Sequence, residues 1–294
     1  MEMMRFYWKV LKNAISKFNE DYIFAYSGAL SYYTVFSLPP ILLIILHIAK
    51  LFYDEASVKG TLFSQIEGLI GKNGTQQLME AIGNIKVFEP TPLATVLSIF
   101  ILLFTATTVL VTMQNALNNI FHVKPKPQGW GLLKMLRDRM ISLMLLIGFA
   151  FILLFSLIVD AIIAASSIYL EKWIGGFYVT LSLLTSMILS FLLITLLLAS
   201  IFKFLPDAIL NWRQTWFGAF LTSILFSLGK YLISFYIGNS NIVGLYDAAG
   251  NVMVIMVWIF YTSLIFMFGA VFTYTRIKMM GENIAASDYA VKIE

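Results

Sequence analysis

Long apolar runs constrain this chain more than any other feature, because about 20 consecutive apolar residues form a helix that can cross the hydrocarbon of a bilayer. Six such runs lie near residues 25–52, 92–121, 139–169, 178–202, 215–238 and 251–275. Inside lipid each backbone amide needs a partner within the protein, and runs of this length without strict alternation specify helices. A composition of 60% hydrophobic and 12% charged residues does not belong to a soluble domain. The expected fold class is all-α, a polytopic membrane bundle of six transmembrane helices forming one integral membrane domain over residues 1–294.

Orientation follows from lysine and arginine, because basic loops resist translocation. With the N-terminus cytoplasmic, the inner segments carry Arg5, Lys9, Lys12 and Lys17, then Lys124, Lys126, Lys134, Arg137 and Arg139, then Lys203 and Arg213, then Arg276, Lys278 and Lys292. The outer segments hold Lys59, Lys72, Lys86 and Lys172. Both termini are therefore expected in the cytoplasm. The net charge of +4 restates this bias and is no nucleic-acid footprint. The first run is too long for a signal-peptide core, so it is expected to remain as an anchor with no separate targeting segment. Without cysteine, disulfides and thiolate metal sites are excluded.

Three connecting features stand out. In residues 1–24, Arg5, Lys9, Lys12 and Ser16 share one helical face, while Tyr7, Leu11, Ala14 and Phe18 share another. This reads either as a cytoplasmic interfacial helix on anionic lipid or as a basic flank that sets topology. Pro39-Pro40 interrupts the first span and predicts a kink or break. Residues 53–91 show helical spacing on both sides of Gly71-Lys72-Asn73-Gly74, which predicts an outer amphipathic helical hairpin; residues 122–131 read as an extended connector.

An ionisable group at membrane depth costs about 2.5–3.5 kcal/mol near a helix centre and so demands a partner, water or a function. Asp160 in the third span and Lys230 in the fifth lie at similar depths in the outer half. They are expected either to face inward and neutralise each other or, alternatively, to snorkel and to cap a bend. Each sits in a polar stripe: Ser156, Asp160 and Ser167 on one helix, Ser223, Ser227, Lys230 and Ser234 on the other. Further stripes run through Thr108, Thr112, Asn115 and Asn119, through Ser182, Ser186 and Ser190, and through Ser27, Ser31 and Thr34. Together they read as the lining of a polar cavity or as interhelical glue. Gly218, Thr222, Leu225 and Gly229 form a small-residue face assigned to packing.

Catalytic constellations are thin. The two histidines, His47 and His122, have no metal-ligand spacing around them, and no phosphate loop, dinucleotide fingerprint or nucleophile elbow is present. The expectation is a protein that is not an enzyme and uses no cofactor or metal.

The run Ala29-Leu30-Ser31-Tyr32-Tyr33-Thr34-Val35-Phe36-Ser37-Leu38-Pro39 and the stretch Phe202-Lys203-Phe204-Leu205-Pro206-Asp207, followed by Trp212-Arg213 and Gly218-Ala219, resemble the YihY/BrkB family of bacterial inner-membrane proteins. Gly229-Lys230, Tyr236, Tyr246-Asp247-Ala248-Ala249-Gly250, Trp258, Tyr261 and Phe268-Gly269-Ala270 fit the same pattern in the C-terminal half. Asp247 departs from it where a glycine is usual, and Val271 where a glutamate is usual. The resemblance implies a multi-pass protein of the bacterial inner membrane. Its older ribonuclease BN label is regarded as a misassignment, and members are discussed as virulence-associated or as candidate transporters, including of lipids.

Two functions stay open on this reading. The first is a transporter or flippase-like protein in which Lys230 binds an anionic lipid or small-molecule substrate and Asp160 serves as counter-ion or proton site. The second is a non-transporting envelope scaffold or regulatory membrane protein. Membrane lipids are the expected partners on both, with a homo-oligomer left open and nucleic acid excluded.

Overall fold

The computed structural model describes residues 2–18, 22–49, 92–126, 177–239 and 248–293. Six helices account for most of them: α1 (Glu2–Lys17), α2 (Ile23–Ala49), α3 (Pro92–Ile120), α4 (Phe177–Phe204), α5 (Trp212–Asn239) and α6 (Ala248–Met279). Among the described residues three stretches are long and apolar enough to cross a membrane, Ile99–Ile120, Met187–Phe204 and Val252–Met279. The third predicted span and the outer hairpin lie outside the described residues.

The all-α expectation needs one correction. Four short strands, β1 (Val123–Pro125), β2 (Ala208–Ile209), β3 (Ala285–Ala286) and β4 (Ala290–Lys292), form two antiparallel ladders. Lys124 pairs with Val291 in β1–β4, and Ala208 with Ala286 in β2–β3. Pro125 is tolerated because it sits at the end of a two-stranded ladder, where one side of the backbone needs no partner.

The helix ends explain how the chain reaches these strands. His122 closes α3 with a left-handed φ of 53°, and its carbonyl then accepts from Ile293 N at 2.9 Å. Gly281 ends α6 with φ 72°, a conformation that costs glycine nothing. Around it, Glu282 N donates to Ile277 O and Gly281 N to Lys278 O, the paired bonds of a Schellman turn. Asn211 caps α5: Gln214 N donates to its carbonyl at 2.9 Å, and its own N–H donates back to Gln214 Oε1 at 2.8 Å.

The residues divide into two compact units. The first holds residues 1–14, 117–223 and 269–294, the second 15–116 and 224–268, so that α1, α3, α5 and α6 contribute to each. In the first unit, Leu117, Ile120, Phe121, Phe202, Leu210, Val271 and Ile277 are buried. Close approach of α5 and α6 there depends on glycine. A Cβ on Gly218 would overlap the Thr273 hydroxyl and stand 2.8 Å from the Gly269 carbonyl oxygen, and one on Gly269 would overlap the Thr222 hydroxyl. In the second unit, a Cβ on Gly229 would overlap the Tyr261 ring. These contacts match the packing role assigned to the Gly218–Gly229 face.

Two local expectations change. Helix α2 continues through Pro39-Pro40 without interruption. One turn earlier, the Ser37 hydroxyl donates to the Thr34 carbonyl at 2.7 Å, a back-bond of the kind that bends helices without ending them. In α1, Val10 and Ala14 are fully buried, and Tyr7 stacks on Phe217 at 6.0 Å. The face assigned to lipid therefore packs partly on protein. Met4, Trp8 and Ile15, between that face and the basic stripe, are exposed. Both stripes are apolar, and the pattern alone did not say which one the protein covers.

Candidate functional site

The connection from α4 to α5 carries a cluster of polar bonds among the described residues of the first unit. Pro206 cannot donate a backbone hydrogen bond and follows directly on the end of α4, whose Leu205 N still donates to Ile201 O at 3.0 Å. Asp207, 2% exposed, is clamped on two of its atoms by the Asn118 side chain. Asn118 Nδ2 donates to Asp207 Oδ2 at 2.9 Å, and Asp207 N donates to Asn118 Oδ1 at 2.7 Å. The Asp207 carbonyl accepts from Ser287 N at 2.9 Å, which sets the β2–β3 register beside it. Asn118 itself lies in the last turn of α3 and is buried. One amide thus fastens α3 to the α4–α5 turn, and that turn fastens the segment after α6.

Neighbouring groups complete the closure. Lys203 Nζ donates to the Leu210 carbonyl at 2.8 Å and lies over the Phe204 and Trp212 rings at 5.7 and 5.5 Å. Gln214 Nε2 donates to Glu282 Oε2 at 2.5 Å, linking the cap of α5 to the Schellman turn of α6. Lys126 Nζ donates to the Asp288 carbonyl at 2.8 Å. Among the described residues no group of three or more His, Asp or Glu side chains is placed to hold a metal ion. The arrangement fixes geometry: each polar atom named here is bonded to another part of the protein.

The sequence-derived positions are distributed as follows. Lys203, Pro206 and Asp207 come together in this closure, and Gly269 contacts Thr222 and Phe202 in the same unit. Gly229 packs on Tyr261 and Trp258 on Phe226, at 6.1 Å between ring centroids, in the second unit. Tyr32 is exposed beside Phe36, Pro39 lies within α2, and Gly250 lies in the first turn of α6. Ser223 is fully buried; its hydroxyl donates to Ala219 O at 2.9 Å and accepts from Thr195 Oγ1 at 2.9 Å. Ser227 is half-buried, and Lys230 and Ser234 lie on the α5 backbone. Ser156, Asp160 and Tyr246 lie outside the described residues, and with them the proposed Asp160–Lys230 pairing.

Asn118 was missed. The stripe of Thr108, Thr112, Asn115 and Asn119 runs one residue beside it, yet Asn115 is exposed while Gln114 and Asn118 are buried. Thr108 and Thr112 bond their own helix, to Phe104 O and Thr108 O. The available signal was the Gln114/Asn118 pair at i, i+4, which an apolar surround makes hard to tell from its neighbour.

Spanning-length apolar helices closed at one end by a bonded polar turn define a helical integral membrane protein. The chain belongs to the family described as Virulence factor BrkB, whose match covers residues 14–291. Its relatives carry the name UPF0761 membrane protein. That of Verminephrobacter eiseniae is 24% identical over 282 residues, covering 92% of this chain and 63% of the relative. That of Ralstonia nicotianae is 24% identical over 265 residues, covering 87% and 56%. That of Psychromonas ingrahamii is 24% identical over 276 residues, covering 92% and 89%. The chain thus spans less than two thirds of the length of the first two of these relatives. No solved structure matches it significantly.

Proposed function

We propose that the protein is a multi-pass transporter or flippase-like protein of the bacterial inner membrane, with cytoplasmic termini, that moves an anionic lipid or small molecule along a polar path near Lys230. The observation that supports this reading is Ser27 in α2, fully buried with a hydroxyl that has no hydrogen-bond partner. A buried hydroxyl without a partner calls for water or a ligand. On the same inward face, Ser31 Oγ donates to the Met256 carbonyl at 2.7 Å. On this reading the protein is no enzyme and needs no cofactor.

A specific observation favours the scaffold alternative. Thr195 and Ser223 use their hydroxyls on each other, which is how interhelical glue behaves. The chain is free of cysteine, so single cysteines report directly. With Ser27→Cys, a membrane-impermeant maleimide is expected to label the protein in proteoliposomes, while Ser223→Cys stays protected. In the same vesicles Lys230→Ala should abolish movement of a fluorescent anionic phospholipid. Protection of Ser27→Cys together with unchanged lipid movement would transfer the assignment to the scaffold.

The reading also places α1 in the inner headgroup region, its exposed Met4, Trp8 and Ile15 in lipid and Arg5, Lys9 and Lys12 at anionic headgroups. A bimane on Trp8→Cys should be quenched by shallow nitroxide lipids, and more strongly when phosphatidylglycerol is present. Quenching by aqueous iodide alone would remove α1 from the bilayer.

A further inference from the structure

Arg276 stands in the last turn of α6 and is 6% exposed. Its guanidinium carbon lies 4.0 Å over the Phe217 ring, and Phe217 is itself stacked by Tyr7 at 6.0 Å and 24°. Its Nε is sealed from solvent without a hydrogen-bond partner, and among the described residues no ion pair or hydrogen bond engages the side chain. The adjacent Thr275 hydroxyl is likewise buried without a partner.

Burying a cation is costly unless it is paired and hydrogen-bonded. Two favourable terms are present: the aromatic face, and the negative end of the α6 dipole. Neither supplies an acceptor to the guanidinium N–H groups. Three basic side chains of the same unit, Lys203, Lys126 and Lys292, each donate to an oxygen of the protein. Arg276 is held in place with no acceptor for its guanidinium among the described residues. A guanidinium whose carbon is held 4.0 Å over a ring keeps its planar fork of donors in place, and such a fork receives two oxygens of a phosphate at once.

We propose that Arg276, positioned by Phe217 and backed by Tyr7, binds a phosphate oxyanion, carried by a phospholipid headgroup or supplied as free phosphate. The site does not depend on the transport reading, because a resident lipid fits a scaffold equally well.

The test uses the purified full-length chain in neutral detergent. Native mass spectrometry follows the stepwise binding of phosphatidylglycerol, and thermal unfolding follows added inorganic phosphate. Loss of a charge-assisted bidentate contact in Arg276→Met is expected to weaken the tightest lipid-binding step by about tenfold or more. Arg276→Lys, which keeps the charge and loses the fork, should fall between. Exposed Lys278 provides the control, and Lys278→Met should leave that step unchanged. Phosphate stabilisation lost in Arg276→Met, with lipid binding intact, would assign the site to free phosphate. Unchanged affinity for both ligands in a folded Arg276→Met protein would overturn the proposal. If that variant fails to fold, wild-type affinity for both ligands in Arg276→Lys would overturn it instead.

Discussion

Replacing Asn118 with leucine is expected to lower the stability of the folded chain by about 2–4 kcal/mol, because one side chain satisfies both a buried carboxylate oxygen and a buried backbone N–H. Leucine has the same branched outline of heavy atoms and offers neither bond. For a chain of this size the loss corresponds to a drop of roughly 5–10 °C in the apparent unfolding midpoint in detergent. Asp207→Asn keeps an acceptor towards Asn118 and should cost much less. The double variant Asn118→Leu/Asp207→Leu should lose less than the sum of its single changes, since the partners of a buried pair are coupled. Additive losses, or an Asn118→Leu midpoint within a degree of wild type, would show that the closure contributes little.

A second large effect is expected where α5 meets α6. Gly269→Ala would bring a methyl group onto the Thr222 hydroxyl and within 3.2 Å of the Phe202 ring. Overpacking of this kind costs about 1–3 kcal/mol. Adding Thr222→Ala removes the obstructing atom, so the double variant should recover most of the loss. Gly218→Ala behaves differently. Its methyl group meets the Gly269 carbonyl oxygen as well as Thr273, and a backbone atom cannot rotate aside. Thr273→Ala should therefore rescue Gly218→Ala poorly. Equal rescue in the two cases, read as unfolding midpoints, would mean that the helices separate more easily than this packing implies.

These contrasts show what the amino-acid pattern could and could not convey. Hydrophobic length located the helices well: runs near 92–121, 178–202 and 215–238 correspond to α3, α4 and α5 within a few residues. A helix that is apolar on every side gives no face, however. Asn115 and Asn119 were therefore read as the polar stripe, whereas the residue bonded to the Asp207 side chain and backbone is Asn118. The ladders were illegible for another reason. Strands of two or three residues have no room for alternation, and partners such as Lys124 and Val291 are far apart in the chain. The Phe202–Asp207 motif was visible as a family resemblance, but its role needed the Asn118 geometry. Arg276 counted only as one positive charge among many, since pattern cannot distinguish a solvated arginine from one pinned on Phe217.

The two ladders also bear on the order in which the protein can be completed. β1 and β2 emerge from the ribosome long before β3 and β4, and each must wait for a partner near the C-terminal end of the described chain. Helices can form and enter the bilayer as they are made, but the closure around Asp207 receives the Ser287 N–H only after α6 and the turn that follows it have been made. Until then the edges of β1 and β2 have no partner strand. A chain interrupted before residue 285 would leave both edges unpaired, so the segment that follows α6 is what turns two loose connections into a closed one.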